Sequence, residues 1–389
     1  MTRIVVAVDS FKGSISAADA ARALRDGIRG AVGGAEVVLR PMADGGEGTL
    51  DAFAAAVPGA QRMPVRVTGP AGTDVDAAWL LLPGGTAVVE LASTSGIELL
   101  GPAAHADDGL PGGLPGGLPG AVLPGAVLRG EDADTTGFGQ AIAAALDHGV
   151  HRLVLGIGSS ASTDGGTGML RALGARLTAA DGADTAPGAR GLGSLASVDL
   201  SGLRALPPGG AVVLTDVTNP LRGAAGAAAV FGPQKGLDPA GVVRADAGLA
   251  RLAALLPQVD PATPGAGAAG GTGFGLLAWG ARLVPGAAEV AALIGLAEAI
   301  GGADLVVTGE GSFDGQSAAG KVPTFVQAAA ATAHVPVVLV AGRIAPDADT
   351  AAFAATFSLT DLAGSPAASL ADPARWLHAA GTRMPHAGA

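Results

Sequence analysis

Three stretches bring acids, hydroxyls and lysines together at glycine-rich turns, the composition of a site for a phosphate or a polyol. The longest is Gly156-Ile-Gly-Ser-Ser-Ala-Ser-Thr-Asp-Gly-Gly-Thr-Gly-Met169, with three serines, two threonines and one carboxylate, Asp164. Glycines at a strand-to-helix turn free backbone N–H groups to face an anion, and hydroxyls extend that donor set. Gly158, Ser159, Ser160, Gly165 and Gly166 are therefore candidate phosphate or substrate contacts, and Asp164 is a candidate proton acceptor. Ala43-Asp-Gly-Gly-Glu-Gly-Thr49 repeats the Asp-Gly-Gly theme and adds Asp44, Gly45 and Gly46. Asp9-Ser-Phe-Lys-Gly-Ser14 adds Asp9, Ser10 and Lys12.

Residue scarcity adds further candidates. The chain keeps three lysines against twenty arginines, and Lys12, Lys235 and Lys321 each stand beside a glycine. Arginine does not replace a compact ammonium, so lysines retained in an arginine-favouring chain mark positions where that difference counts. The single asparagine, Asn219, lies in Asp216-Val-Thr-Asn-Pro220 at the end of an apolar run. Thr308-Gly-Glu-Gly-Ser-Phe-Asp314 supplies Glu310 and Asp314 in the same kind of place.

The elements that must position these residues follow from periodicity. Arg3–Val8 is a continuous apolar run, fit for a buried parallel strand, and Asp9 to Lys12 follow its carboxyl end. Ser16-Ala-Ala-Asp19 matches a capping box, and Ala20, Leu24 and Ile28 continue as a helical stripe closed by Gly30. Residues 36–40 read as a second strand before the Asp44 loop, with a helix to about Ala56. Arg152–Leu155 is a strand entering the central loop, and Met169, Leu170, Leu173 and Leu177 predict a helix leaving it. From Met63 the pattern turns hairpin-like, and the strand-helix alternation resumes after about residue 290. Residues 191–206 read as a loop, residues 211–215 as a strand ending at Asp216, and residues 231–236 as a loop carrying Lys235. Glycine crowding over 265–275 precedes an apolar helix with Leu276, Leu277 and Trp279, and marks either a hinge or close packing. A strand over 304–308 opens into the Glu310 segment, and a helix, a strand over 335–340 and another strand-helix pair near 353–362 complete the chain. The three-fold Gly-Leu-Pro repeat places a surface insertion with no core of its own at 103–129.

Composition bounds the function. At 389 residues the chain holds two domains, and the absence of cysteine excludes disulfides and thiolate metal sites. A net charge of −11 without a Lys/Arg cluster argues against nucleic acid as a partner. Six scattered histidines form no metal-ligand pair, and no apolar run is long enough to span a membrane. With Met-Thr-Arg leading directly into a strand, the expected location is the cytoplasm.

Taken together, these motifs resemble the bacterial glycerate kinase family, type 1. The resemblance rests on the Asp9–Ser14, Ala43–Thr49, Gly156–Met169, Phe231–Gly236 and Thr308–Gly311 stretches and covers nearly the whole chain outside the Gly-Leu-Pro repeat. It implies an α/β protein. A doubly wound, mostly parallel sheet domain is built from both chain ends (1–62 and 291–389), and a second mixed α/β domain (63–290) is inserted between them. It also implies ATP-dependent phosphorylation of D-glycerate to 2-phosphoglycerate or 3-phosphoglycerate with Mg2+, by a monomer or homodimer. There is no Walker A sequence, so the phosphate cradle is built otherwise. On this reading Lys12 and Lys321 take the developing phosphate charge, and Asp44 or Asp164 accepts the hydroxyl proton. Asp216, Glu310 or Asp314 holds the metal, while Asn219 and Lys235 contact substrate. The chain departs from the family pattern at Thr163, in place of an amide, and at Ser312, in place of a basic residue. A Mg2+-dependent isomerase or mutase of a small phosphorylated hydroxyacid, and a non-catalytic hydroxyacid-binding protein, are the alternative readings; dependence on ATP separates them from a kinase.

Overall fold

The computed structural model describes residues 1–100, 129–314 and 322–385. Its strands, in chain order, begin with β1 (Arg3–Val8), β2 (Glu36–Leu39), β3 (Gln61–Thr68), β4 (Asp74–Leu82) and β5 (Thr86–Glu90). They continue with β6 (Arg152–Gly156), β7 (Arg176–Ala179), β8 (Leu195–Asp199), β9 (Ala211–Leu214) and β10 (Arg282–Val284). The last three are β11 (Leu305–Phe313), β12 (Val337–Ile344) and β13 (Ala355–Ser358). The chain divides into two compact units, one of residues 1–44, 51–58 and 286–389, the other of 45–50 and 59–285.

The first unit is built on a fully parallel sheet in the order β13-β12-β11-β1-β2. Ile4, Val6, Val8, Val307, Val338 and Val340 are buried in its core, and two faces of apolar side chains explain the unbroken hydrophobic runs. The helix Ala17–Ala31 starts at Ser16, whose hydroxyl accepts from the Asp19 N–H at 3.1 Å. It runs through Gly30 to a cap at Val32, beyond the expected stop, because Gly30 does not take up the positive φ that would end it. It packs closely on the helix Pro373–Gly381, where a Cβ on Gly27 would stand 2.1 Å from the His378 carbonyl oxygen.

The second unit carries a six-stranded mixed sheet, β10-β9-β6-β5-β4-β3. Its β3–β4 and β4–β5 pairs are antiparallel, and the remainder is parallel. A separate antiparallel pair joins β7 to β8. Together the two sheets make the α/β architecture expected from the alternation.

Local readings change in four places. The helix after the central loop ends at Ala172, because Gly174 (φ +111°) turns the chain back, and Leu177 lies on β7. Residues 195–199, read as loop, form β8 against β7, a pairing that no local periodicity reveals. β11 extends to Phe313, so Glu310 and Ser312 stand on a strand rather than a loop. Residues 231–236 are the end of the helix Ala227–Phe231 and the short 3-10 turn Pro233–Lys235. The Gly-Leu-Pro repeat lies outside the described residues.

Candidate functional site

In the parallel sheet, chain order runs outward from β1 to β2, then returns past β1 to β11. The β1–β11 boundary is thus a topological switch point, where open α/β sheets bind ligands beyond the carboxyl ends of their strands. Val8 pairs with Gly309, and the Asp9 N–H donates to the Gly309 carbonyl at 2.8 Å, which sets Asp9 beside Glu310. The Met42 N–H donates to the Val8 carbonyl at 2.9 Å and carries the chain after β2 to the same strand end. Asp44 arrives there and meets the Lys12 ammonium at 3.3 Å. Asp9, Lys12, Asp44 and Glu310 form one electrostatic cluster.

Burial, and next the Asp44 charge, push Asp9 well above the usual carboxylate range, with Glu310 adding to the rise and Lys12 opposing it. Lys12 is pushed up, chiefly by Asp44, against the effect of burial. A carboxyl raised in this way binds a proton more tightly, the property a proton acceptor for an alcohol needs. Ser10 follows Asp9 and donates its N–H to the Asp9 carboxylate at 2.7 Å. Ser312, where a base is missing from the family pattern, faces Arg343 on β12, whose guanidinium reaches its hydroxyl at 3.5 Å.

A second constellation lies within the other unit. Asp164 is fully buried, and its carboxylate accepts from the Thr135 N–H and hydroxyl, the Gly166 N–H and the Gly168 N–H at 2.8–3.1 Å. Three of these donors meet one carboxylate oxygen and one meets the other, and the side chain has no exposed face, so the acid is held within the loop. The geometry therefore moves Asp164 from candidate base to loop anchor. Asp134, raised by burial and then by the Asp164 charge, sits beside it and holds Thr136 through two hydrogen bonds of 2.9 Å.

Several candidate phosphate glycines answer to packing. The Gly158 N–H donates to the Gly45 carbonyl at 2.9 Å, so the two Asp-Gly-Gly loops meet. A Cβ on Gly158 would stand 2.5 Å from the Gly46 Cα, and one on Gly45 2.6 Å from Leu214. Gly165 and Gly166 are left-handed (φ +67° and +78°) and press against Leu252 and Thr272. The glycine crowding at 265–275 is close packing on this loop: Gly270 lies where a Cβ would be 2.0 Å from the Ser162 carbonyl oxygen.

Lys235 is buried in the same unit, its ammonium donating to the Ser160 hydroxyl at 2.7 Å and the Ser162 carbonyl at 2.5 Å. Burial pushes its amine down to about 7, with the Asp164 charge opposing. Asn219 donates its side-chain amide to the Ala225 carbonyl at 2.8 Å and accounts for a turn. Asp216 follows β9 in this unit, whereas Asp314 follows β11 in the other, and Lys321 lies outside the described residues. Among the described residues, no group of three or more His, Asp or Glu side chains is placed to hold a metal ion by itself.

Two positioning residues escaped the sequence reading. Glu90, buried at the end of β5, accepts from the Gly48 N–H at 3.2 Å and the Leu50 N–H at 3.0 Å, satisfying the start of the helix Thr49–Ala56. Thr135 joins Asp164 to the next helix, its hydroxyl also accepting from the Met169 N–H at 2.9 Å. A carboxylate closing an apolar strand was the available signal for Glu90; Thr135 had none.

The model of the glycerate kinase family matches residues 4–108 and 121–387. The chain is 40% identical over 352 residues to the glycerate 2-kinase of Escherichia coli K12, covering 89% of this chain and 86% of that one. It is 39% identical over 354 residues to the glycerate kinase of Bacillus subtilis 168, with 89% and 86% covered. A crystal structure named as a glycerate kinase 2 from Salmonella typhimurium LT2 superposes with a TM-score of 0.78 at 38% identity, covering 98% of this chain and all (100%) of that one. No described helix is long and apolar enough to cross a membrane.

Proposed function

The chain belongs to the glycerate kinase family, and from that premise we propose how its residues carry out ATP-dependent phosphorylation of glycerate. The observation that carries the reading is the Asp9–Lys12–Asp44–Glu310 cluster at the switch point of the parallel sheet. In the reaction the glycerate hydroxyl oxygen bonds to the γ-phosphorus of ATP, the bond to ADP breaks, and the hydroxyl proton leaves. Asp9 receives that proton, because burial and then repulsion from Asp44 raise its proton affinity. Lys12, half-exposed and tied to Asp44, neutralises charge on the transferring phosphoryl group. In the other unit, the central loop that Asp164 anchors offers Ser159 as a contact for glycerate.

The donor set also fits magnesium. A magnesium site needs one or two carboxylates with phosphate oxygens completing the shell, and Glu310, next to Asp9 in the cluster, offers hard oxygen donors. Bound there, the ion would draw negative charge off the phosphates. Asp216 and Asp314, the acids first considered for it, stand after β9 and β11 and remain the alternatives to test by substitution. The name of the Escherichia coli relative supports the 2-hydroxyl as acceptor, and hence 2-phosphoglycerate as product.

The test is incubation of the protein with ATP, Mg2+ and D-glycerate, following ADP by a coupled assay and the product by phosphorus NMR. Glycerate-dependent ADP release with a 2-phosphoester is the expected result. A 3-phosphoester would move the acceptor hydroxyl, and no release with any hydroxyacid would overturn the kinase reading.

A further inference from the structure

Lys235 was a candidate substrate contact, yet its side chain points inward. It is 3% exposed, and its ammonium is spent on the Ser160 hydroxyl and the Ser162 carbonyl. The other side of the same turn is held by backbone alone. The Ile97 N–H donates to the Ser159 carbonyl at 2.9 Å, and the Ala161 N–H to the Ser95 carbonyl at 3.1 Å. Between these supports Ser159 is exposed and left-handed (φ +59°), a conformation a serine adopts only when its surroundings impose it. Ser160, its neighbour, is 6% exposed and turned in towards Lys235. The lysine is itself placed by the 3-10 turn Pro233–Lys235 and by Gly236 (φ +92°), which closes that turn.

We propose that Lys235 is a positioning residue for glycerate: by drawing Ser160 and Ser162 inward it holds Ser159 outward, in the conformation that receives the substrate's polar groups. This rests on glycerate contacting Ser159 in the kinase reaction. Burying an amine against neutral acceptors is costly, and the depressed proton affinity of Lys235 records that cost. A buried methionine of similar length would escape it. Retention of a lysine, in a chain that elsewhere uses arginine, is accounted for by the two hydrogen bonds. The role is geometric, so its loss falls on substrate binding more than on the chemical step.

The experiment compares wild type with Lys235→Met, Lys235→Arg, Ser160→Ala, Ser159→Ala and the Lys235→Met/Ser159→Ala double variant. KM for glycerate, KM for ATP, kcat and thermal midpoint are measured for each. Lys235→Met is expected to raise KM for glycerate by about tenfold or more, with KM for ATP and kcat changed far less. Lys235→Arg should not rescue it, because the larger guanidinium has no room at that depth. Ser160→Ala, which removes only one of the two acceptors, should shift KM in the same direction by less. Ser159→Ala should add little on top of Lys235→Met, since both act through one turn. An unshifted KM in Lys235→Met and Ser160→Ala, or a fall in kcat with KM for glycerate unchanged, would overturn the proposal while wild-type turnover stands. Absence of glycerate-dependent ADP release in the wild type would instead overturn the functional reading and this inference with it.

Discussion

At the scale of single residues, chemically similar acids do different work because their surroundings differ. Asp9 sits among Asp44, Glu310 and Lys12, where charge and burial raise its proton affinity. Asp164 is fully buried, held by four donors, and serves as a brace. Lys12→Ala should therefore lower kcat by on the order of 100-fold with the fold intact, as loss of a transition-state charge contact does. A raised KM at unchanged kcat would place Lys12 in ground-state binding instead. Asp164→Asn should act on stability. It sets an amide against N–H groups in a buried site, and urea unfolding should show a loss of about 2 kcal/mol or more. Thr163, the departure from the family's amide, is fully buried with no hydrogen-bond partner for its hydroxyl. Thr163→Val should leave the thermal midpoint unchanged or raised, since nothing bonded is removed.

At the scale of elements, the two Asp-Gly-Gly loops behave as one packed layer within the second unit. Their glycines are required by backbone approach, so single methyl groups discriminate among them. Gly270→Ala would drive a Cβ to 2.0 Å from the Ser162 carbonyl oxygen and add strain at φ +67°, and should cost enough stability to be plain in a thermal melt. Gly48→Ala meets open space, and its left-handed φ of +83° limits the loss to about 1 kcal/mol. The reverse order of damage would show that contact does not decide these positions. Strand ends were readable because apolar runs stop where polar groups begin, as at Val8 and Leu214. β8 was not readable, because its partner β7 pairs with it across a bulge and supplies the reason for the strand. Leu177 misled for the same reason: helical spacing continued past a glycine that turns the chain.

For the whole molecule, titration of the groups whose proton affinity the fold shifts is linked to stability. The Glu98 carboxyl is pushed up to about 7 by burial, then by a hydrogen bond and repulsion from Glu47. The folded state then binds that proton more tightly than the unfolded chain, so the stabilising contribution is complete below the ordinary glutamate range. It is lost as pH rises through about 7. Lys235 runs the other way: its amine is depressed to about 7 in the fold. Its contribution is complete above the ordinary lysine range and is lost as pH falls through about 7. Thermal midpoints at pH 5 and pH 8 should therefore converge in Glu98→Gln relative to wild type, with the variant gaining at pH 8. No gain at pH 8 would mean that Glu98 and Glu47 do not share a proton in the fold.

The sequence by itself determined the family, the α/β class and the stretches in which acids, hydroxyls and lysines follow strands, because these are local properties of composition and period. It also exposed Lys235 through scarcity alone. The tertiary structure decided which of those residues stand together. Strand order 13-12-11-1-2 brings Glu310 to Asp9 across about three hundred positions of sequence, and no local pattern encodes that adjacency. Only packing shows that Asp164 and Lys235 face inward. A side chain's direction depends on what the rest of the chain places opposite it, and burial turns a candidate proton acceptor and a candidate substrate contact into supports.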